Sequence, residues 1–235
     1  MVGRGVRVVG SLAVGAALAV GLSLALSDSS HGDDAAERAS ARTELLRRWE
    51  EWRRAPLRFS ESVDRRSGEQ HLSQRVTVAQ RFPDRVVRDG SSVSARVGGR
   101  SIGCGPDAQR QPVCVDNGPY DATADLAAEL SQLRRLTSGA TPTYSVSSIG
   151  RSCFRLRHLV TELRPPWGDR TDYCFAAGGA LTRETEVVGA LTITTRRTGI
   201  GAPVDQDFAL PAPPAPRVNA NTGAGSASAP GSASR

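Results

Sequence analysis

The residues best placed to do chemistry in this 235-residue chain are four cysteines and three histidines. Cys104, Cys114, Cys153 and Cys174 include no Cys-x-x-Cys pair, and His31, His71 and His158 are scattered, so the ligand spacing of a zinc site is missing. An even number of cysteines outside the cytoplasm means disulfides, for which three connectivities exist. Pairing of neighbours, Cys104–Cys114 and Cys153–Cys174, is expected because each pair brackets a short loop between strands. Each bridge should stabilise by about 2–4 kcal/mol through loop closure.

Acid–base chemistry has two candidates. His71 beside Glu69 has the makings of a general base with an orienting carboxylate, but it lies on the polar phase of its strand and reads as a solvated histidine. His158 stands among Arg155, Arg157 and Leu159 and reads the same way. There is no G-x-S-x-G elbow, H-E-x-x-H pair or P-loop, and no G-x-G-x-x-G after a strand. Gly3-x-Gly5 precedes an apolar run and follows from composition. The reading is a non-enzyme with no catalytic residues, no metal and no cofactor.

The elements that would position these residues begin with nineteen uncharged residues, Val8–Leu26, preceded by Arg4 and Arg7. As a helix the run spans roughly 28 Å, close to the hydrocarbon thickness of a bilayer. Basic residues before it and a polar segment after it place the rest of the chain outside the cytoplasm. A secretory signal, with cleavage near Ala25-Leu26-Ser27, is the alternative. The run is long for a signal, and Ser11, Gly15, Ala19 and Ser23 recur at the spacing of packed membrane helices. The expected location is therefore the cell membrane, single-pass with the C-terminal domain extracytoplasmic, or secreted if the segment is cleaved. No Cys follows the run to carry a lipid.

The formal charge is +6; subtracting Arg4 and Arg7 leaves +4 beyond the run, where all 24 acidic residues lie. All thirty basic residues are arginine. They alternate with Asp and Glu, as in Glu50-Glu51-Trp52-Arg53-Arg54, so the surface reads as mixed and solvated. No nucleic-acid face is expected, since that needs clustered Arg with interleaved aromatics.

Residues 1–7 thus form a basic N-terminus, 8–26 the anchor or signal, and 27–40 a polar stalk. Residues 41–212 form one extracytoplasmic domain. A Pro/Ala/Ser/Gly tail over 213–235 is expected to be disordered, having too little apolar surface to offset its ordering entropy. Within the domain, Leu45, Trp49 and Trp52 predict an amphipathic helix over 41–55, ended by Pro56. Alternation then predicts strands over 57–64 and 71–82, with Gln74 and Gln80 as polar interruptions. Short strands follow over 85–88, 93–97 and 100–104, and a loop over 105–119 carries Cys114. A second helix is expected over 122–136 with Asp121 as N-cap. Strands over 143–149, 151–163, 172–175, 180–187 and 191–195 complete the domain.

This order of helix, long meander, helix and further strands resembles the LolA-like superfamily of lipoprotein carriers, LppX-type lipid-binding lipoproteins and RseB/MucB N-terminal domains. The likeness rests on Leu45-Leu46-x-x-Trp49 leading to Leu57-Arg58-Phe59-Ser60, on Arg81-Phe82-Pro83-Asp84-Arg85-Val86, on the strand after Tyr144, and on Asp207-Phe208-Ala209-Leu210-Pro211-Ala212. It covers roughly residues 41–212. The resemblance implies an α+β fold: a curved antiparallel half-barrel with helices packed on its concave face, preceded by the transmembrane or signal helix. It implies a space for an acyl chain or a partner's peptide. The lipidated Cys of the lipid-binding members is absent here, and the two close Cys pairs are not a general feature of the group.

The functional expectation is a membrane-anchored binding domain of the bacterial envelope that holds a lipid or other apolar ligand. Leu57, Phe59, Leu72, Val76, Val78, Leu126 and Leu130 are its expected lining. The alternative is a tethered interaction or sensor module that regulates an envelope partner, in the manner of an anti-sigma system.

Overall fold

A computed structural model of the chain describes residues 16–160 and 166–216. The basic N-terminus, residues 8–15 of the apolar run and residues 217–235 of the expected tail lie outside the described residues. Among the described residues no helix is long and apolar enough to cross a membrane.

Helix α1 runs unbroken from Ala16 to Arg54. The segment expected as a polar stalk, 27–40, is helical, and its residues 34–40 are exposed; it contains no proline, and Ala35-Ala36-Glu37-Arg38-Ala39 favours the helix. From Ala41 onward one stripe is buried: Ala41, Leu45, Trp49 and Trp52. The carbonyls ending α1 find a partner in Gln80, whose side-chain amide donates to Trp52 O at 2.7 Å and Ala55 O at 3.1 Å. That contact explains a buried glutamine in a strand, since terminal carbonyls of a helix need donors from elsewhere.

The N-terminal meander comprises β1 (Leu57–Ser67), β2 (Gln70–Arg81), β3 (Asp84–Asp89), β4 (Ser92–Val97), β5 (Arg100–Pro106) and β6 (Pro112–Pro119). The expected loop over 105–119 is therefore mostly strand. Asp107 closes its hairpin by accepting the amides of Gln109 and Gln111 at 2.9 and 2.7 Å, a local turn that polar composition alone disguises as a long loop. Helix α2 (Ala122–Thr137) follows, with Asp121 accepting from Thr123 N and Ala124 N as its cap. The second meander is β7 (Tyr144–Gly150), β8 (Cys153–His158), β9 (Arg170–Phe175), β10 (Leu181–Val188) and β11 (Leu191–Gly201). A 3-10 turn (Asp205–Phe208) leads to β12 (Pro214–Pro216), which pairs in parallel with β6 where tail was expected.

All twelve strands join one curved, open sheet in the order β12-β6-β5-β4-β3-β2-β1-β11-β10-β9-β8-β7. Pairing of β1 with β11 fuses the two meanders, and α2 carries the chain from one edge of the sheet to the other. The α+β architecture is the one the resemblance implied.

The alternating residues build two cores. On the concave face, α1 and α2 pack Leu45, Trp49, Trp52, Leu126, Leu130 and Leu133 onto Tyr144, Val146, Phe154, Leu156, Tyr173, Phe175 and Leu181. Trp49 meets Trp52 and Tyr173 edge-on, at centroid distances of 5.2 and 4.9 Å. The second core comprises Val86, Val93, Ala95, Ile102, Cys104 and Cys114, covered by Phe208, Leu210 and Ala212. Its residues sit in the opposite phase of the same sheet, because Val86 pairs with Ala79 and Ala95, whereas inward Val78 pairs with Val87. The C-terminal strap thus seals the convex side. Both disulfides join directly opposed strand residues, Cys104–Cys114 and Cys153–Cys174, at Cα separations of 4.0 and 4.1 Å.

Candidate functional site

The seven residues expected to line a ligand cavity are not gathered in one place. Phe59, Val78, Leu126 and Leu130 are buried in the packing beneath the helices, and Leu57 and Val76 are half-buried. Leu72 is 59% exposed, near the turn of the β1–β2 hairpin, beyond the reach of either helix. Trp49, Trp52 and the leucines of α2 fill the space over β7–β10.

Room opens instead at the β7 edge. A cleft of about 430 Å³ lies between the helices and this strand, lined by Ala35, Arg38, Ala39 and Arg42 of α1, by Thr137 at the end of α2 and Gly139, Ala140 and Pro142 after it, and by Tyr144, Val146 and Leu159. Its floor is fixed from below. Tyr144 is fully buried, donates its hydroxyl proton to Gly168 O at 3.1 Å and accepts the amide of Trp167 at 3.0 Å. The small alanines of α1 leave the gap, since Ala35 and Ala39 occupy one face a turn apart. Arg42 donates to Thr137 O at 3.3 Å, tying α1 to the end of α2 at the rim. The volume falls within the range of small-molecule pockets, and the mixture of apolar walls and two arginines suits an amphiphile. No periodic signal marks Ala35 or Ala39 in the sequence, because they precede the buried stripe of the helix.

A second cleft, of about 370 Å³, lies on the convex side under the C-terminal strap. Its arginines are already engaged: Arg58 pairs with Asp207 at 3.2 Å, and Arg88 donates to Asp207 O and Ala209 O at 3.2 and 2.6 Å. These contacts seat the strap.

Beside the concave core, over β1, β10 and β11, the sheet carries a buried charged group. Arg197 of β11 is almost wholly buried, with Nε 2.8 Å from Glu61 Oε2 and Nη2 3.7 Å from Glu184 Oε2. Its guanidinium lies over Trp52 and Phe59, 5.2 and 5.9 Å from their ring centroids. Burial lifts the Glu184 carboxyl above its ordinary range more than Arg197 draws it down.

Of the two histidines weighed as bases, His71 is half exposed, with its Nε2 3.5 Å from Asp64. His158 ends β8 with its ring 5.2 Å from that of Tyr144. Among the described residues no group of three or more His, Cys, Asp or Glu is arranged to hold a metal ion.

No family model matches the chain, and no curated protein matches it. Solved structures similar to it include the Mycobacterium tuberculosis lipoprotein LppX, at 12% identity and a TM-score of 0.37, over 71% of this chain and 98% of that one. A DUF1329 family protein from Desulfovibrio piger is 7% identical with a TM-score of 0.28, covering 74% and 97%. A domain described as an outer membrane lipoprotein-sorting protein from Vibrio parahaemolyticus is 7% identical with a TM-score of 0.26, covering 71% and 95%.

Proposed function

We propose that this chain is an envelope binding domain that holds a hydrophobic, acyl-chain-like ligand in the cleft between α1 and β7. The observation that carries the reading is the cleft: about 430 Å³, floored by Tyr144 and Val146, with Arg38 and Arg42 at the rim. An apolar floor takes a hydrocarbon chain, and guanidinium groups at the mouth suit an acidic headgroup. Two disulfides support an oxidising compartment.

The membrane tether belongs to the same proposal. With Val8–Leu26 in the bilayer and α1 continuous, Ala35 stands nine residues past Leu26, roughly 14 Å along the helix axis. The cleft then opens close to the membrane surface, where a lipid can enter without crossing much water.

The experiment is extraction of the purified full-length chain with organic solvent, followed by mass spectrometry. One lipid per chain is expected, and Ala39→Trp, which fills the cleft from an exposed position, should release it without changing the circular dichroism. A lipid-free wild type, or equal lipid in Ala39→Trp, would overturn the reading.

A tethered module that engages an envelope partner is the second reading. It is favoured by β7, an edge strand whose Ser147–Gly150 segment is exposed and open to strand addition. A photocrosslinker at Ser148 should capture a single envelope protein in intact membranes; its failure to do so counts against this reading.

A further inference from the structure

A polar cleft of about 400 Å³ lies away from the α1–β7 cleft, between β3, β4 and the first turns of α2, and Arg53, Arg85 and Arg96 converge on it. The same three arginines line a narrower recess beside it that ends at Phe82, Asp84 and Tyr120. Two of them are engaged. Arg53 holds Glu129 at 2.9 Å, and Arg96 holds Asp125 at 3.2 Å and the Tyr120 hydroxyl at 2.9 Å. Asp84, in the recess, accepts the amide of Gly98.

Arg85 is different. It makes no ion pair and no side-chain hydrogen bond among the described residues, and its buried Nε has no partner. It also faces Arg96 directly across β3 and β4. Like charges opposed in a sheet are destabilising, and a mostly buried guanidinium without an acceptor is costly. The nearby carboxylates are shared: Glu61 attracts Arg85 from a distance but pairs with Arg197, while Asp125 and Glu129 serve the other two arginines. Three arginines and two carboxylates line the wider cleft, and Asp84 of the recess is engaged by the amide of Gly98.

We propose that this cleft is an oxyanion site, with Arg85 the principal ligand and Arg96 and Arg53 its flanks, taking a phosphate group. A guanidinium presents paired N–H donors that match phosphate oxygens, and three guanidiniums around one cavity exceed what structural pairing here requires. Burial and then the neighbouring Arg53 disfavour charge on Arg85, Glu61 offsets this only in part, and a bound anion would supply the missing counter-charge. The phosphate is either free or the headgroup of a lipid. The site is independent of the hydrophobic cleft.

The test is calorimetric titration of the full-length chain with inorganic phosphate, and separately with dihexanoyl phosphatidic acid, against chloride at matched ionic strength. One equivalent of phosphate should bind, and Arg85→Met should weaken it by about tenfold or more. Arg134→Met, remote on α2, should bind as wild type does. Binding of the phosphatidic acid alone, with the same loss in Arg85→Met, assigns the lipid headgroup as the source. In phosphate-free buffer Arg85→Met should melt at a higher temperature than wild type, since it removes an uncompensated charge. Absence of binding in both arms, equal binding in Arg85→Met, or a lower melting temperature of that variant would overturn the proposal.

Discussion

Arg197 of β11 lies against Trp52 of α1, its guanidinium carbon 5.2 Å from the indole centroid. The same guanidinium pairs with Glu61 on β1 and Glu184 on β10, so one side chain ties the helix to the strands that join the two meanders. Replacing Arg197 by Met should cost about 3–5 kcal/mol, because it leaves buried carboxylates without a counter-charge. The double change Arg197→Met with Glu61→Gln should recover much of that loss. Urea unfolding of the two variants checks it, and equal losses would show that the pairing contributes little.

Glu184 gives the pH dependence a sign. Burial holds its carboxyl above the ordinary value of 4.5 in the folded chain, so the folded state binds that proton more tightly than the unfolded state does. Its contribution to stability is therefore lost as pH rises from that ordinary value through the raised one. Asp116, held low first by its bond from Arg100, works in the opposite direction and loses its contribution in acid. Glu184→Gln should flatten the fall of the urea midpoint from mildly acid to neutral pH; an unchanged slope would contradict the assignment.

The floor of the β7 cleft depends on Gly168. Its φ is +67°, and a Cβ there would stand 2.4 Å from Val187 O. Gly168→Ala should destabilise by more than about 2 kcal/mol and loosen Tyr144, which bonds to Gly168 O. Gly68→Ala, at φ +57° but in open space, should cost only about 1 kcal/mol. Similar losses at the two sites, measured by thermal unfolding, would show that the close approach to Val187 relaxes freely.

The disulfides close loops of different length, with separations of 10 and 21 residues. Removing Cys153–Cys174 by paired alanine substitution should cost about 3 kcal/mol, and roughly 0.7 kcal/mol more than removing Cys104–Cys114. Denaturant titration of the two paired variants under oxidising conditions measures the difference, and a reversed order would mean that native packing outweighs loop entropy.

Much of the local structure was legible in the residues. Alternation of period two marked both long strands, and Asp121 marked the start of α2. The neighbour pairing of cysteines followed from their closeness in sequence, each pair bracketing a short connection, and the ladder sets the paired residues directly opposite each other. What the alternation determined was which residues share a face.

Which face would be covered, and by what, was decided only in the tertiary structure. Val86, Val93, Ala95 and Ile102 are buried because a strap more than a hundred residues away in sequence crosses them, with Arg88 reaching Asp207 and Ala209. Leu72 has the same polarity but projects near a hairpin turn that nothing covers. Arg85 reads in sequence as one more arginine on a solvated surface; the β3–β4 register sets it against Arg96 and leaves it partly buried without a partner. Short-range pattern reports periodicity, whereas burial and charge compensation depend on long-range pairing, and that is where both candidate sites of this protein arise.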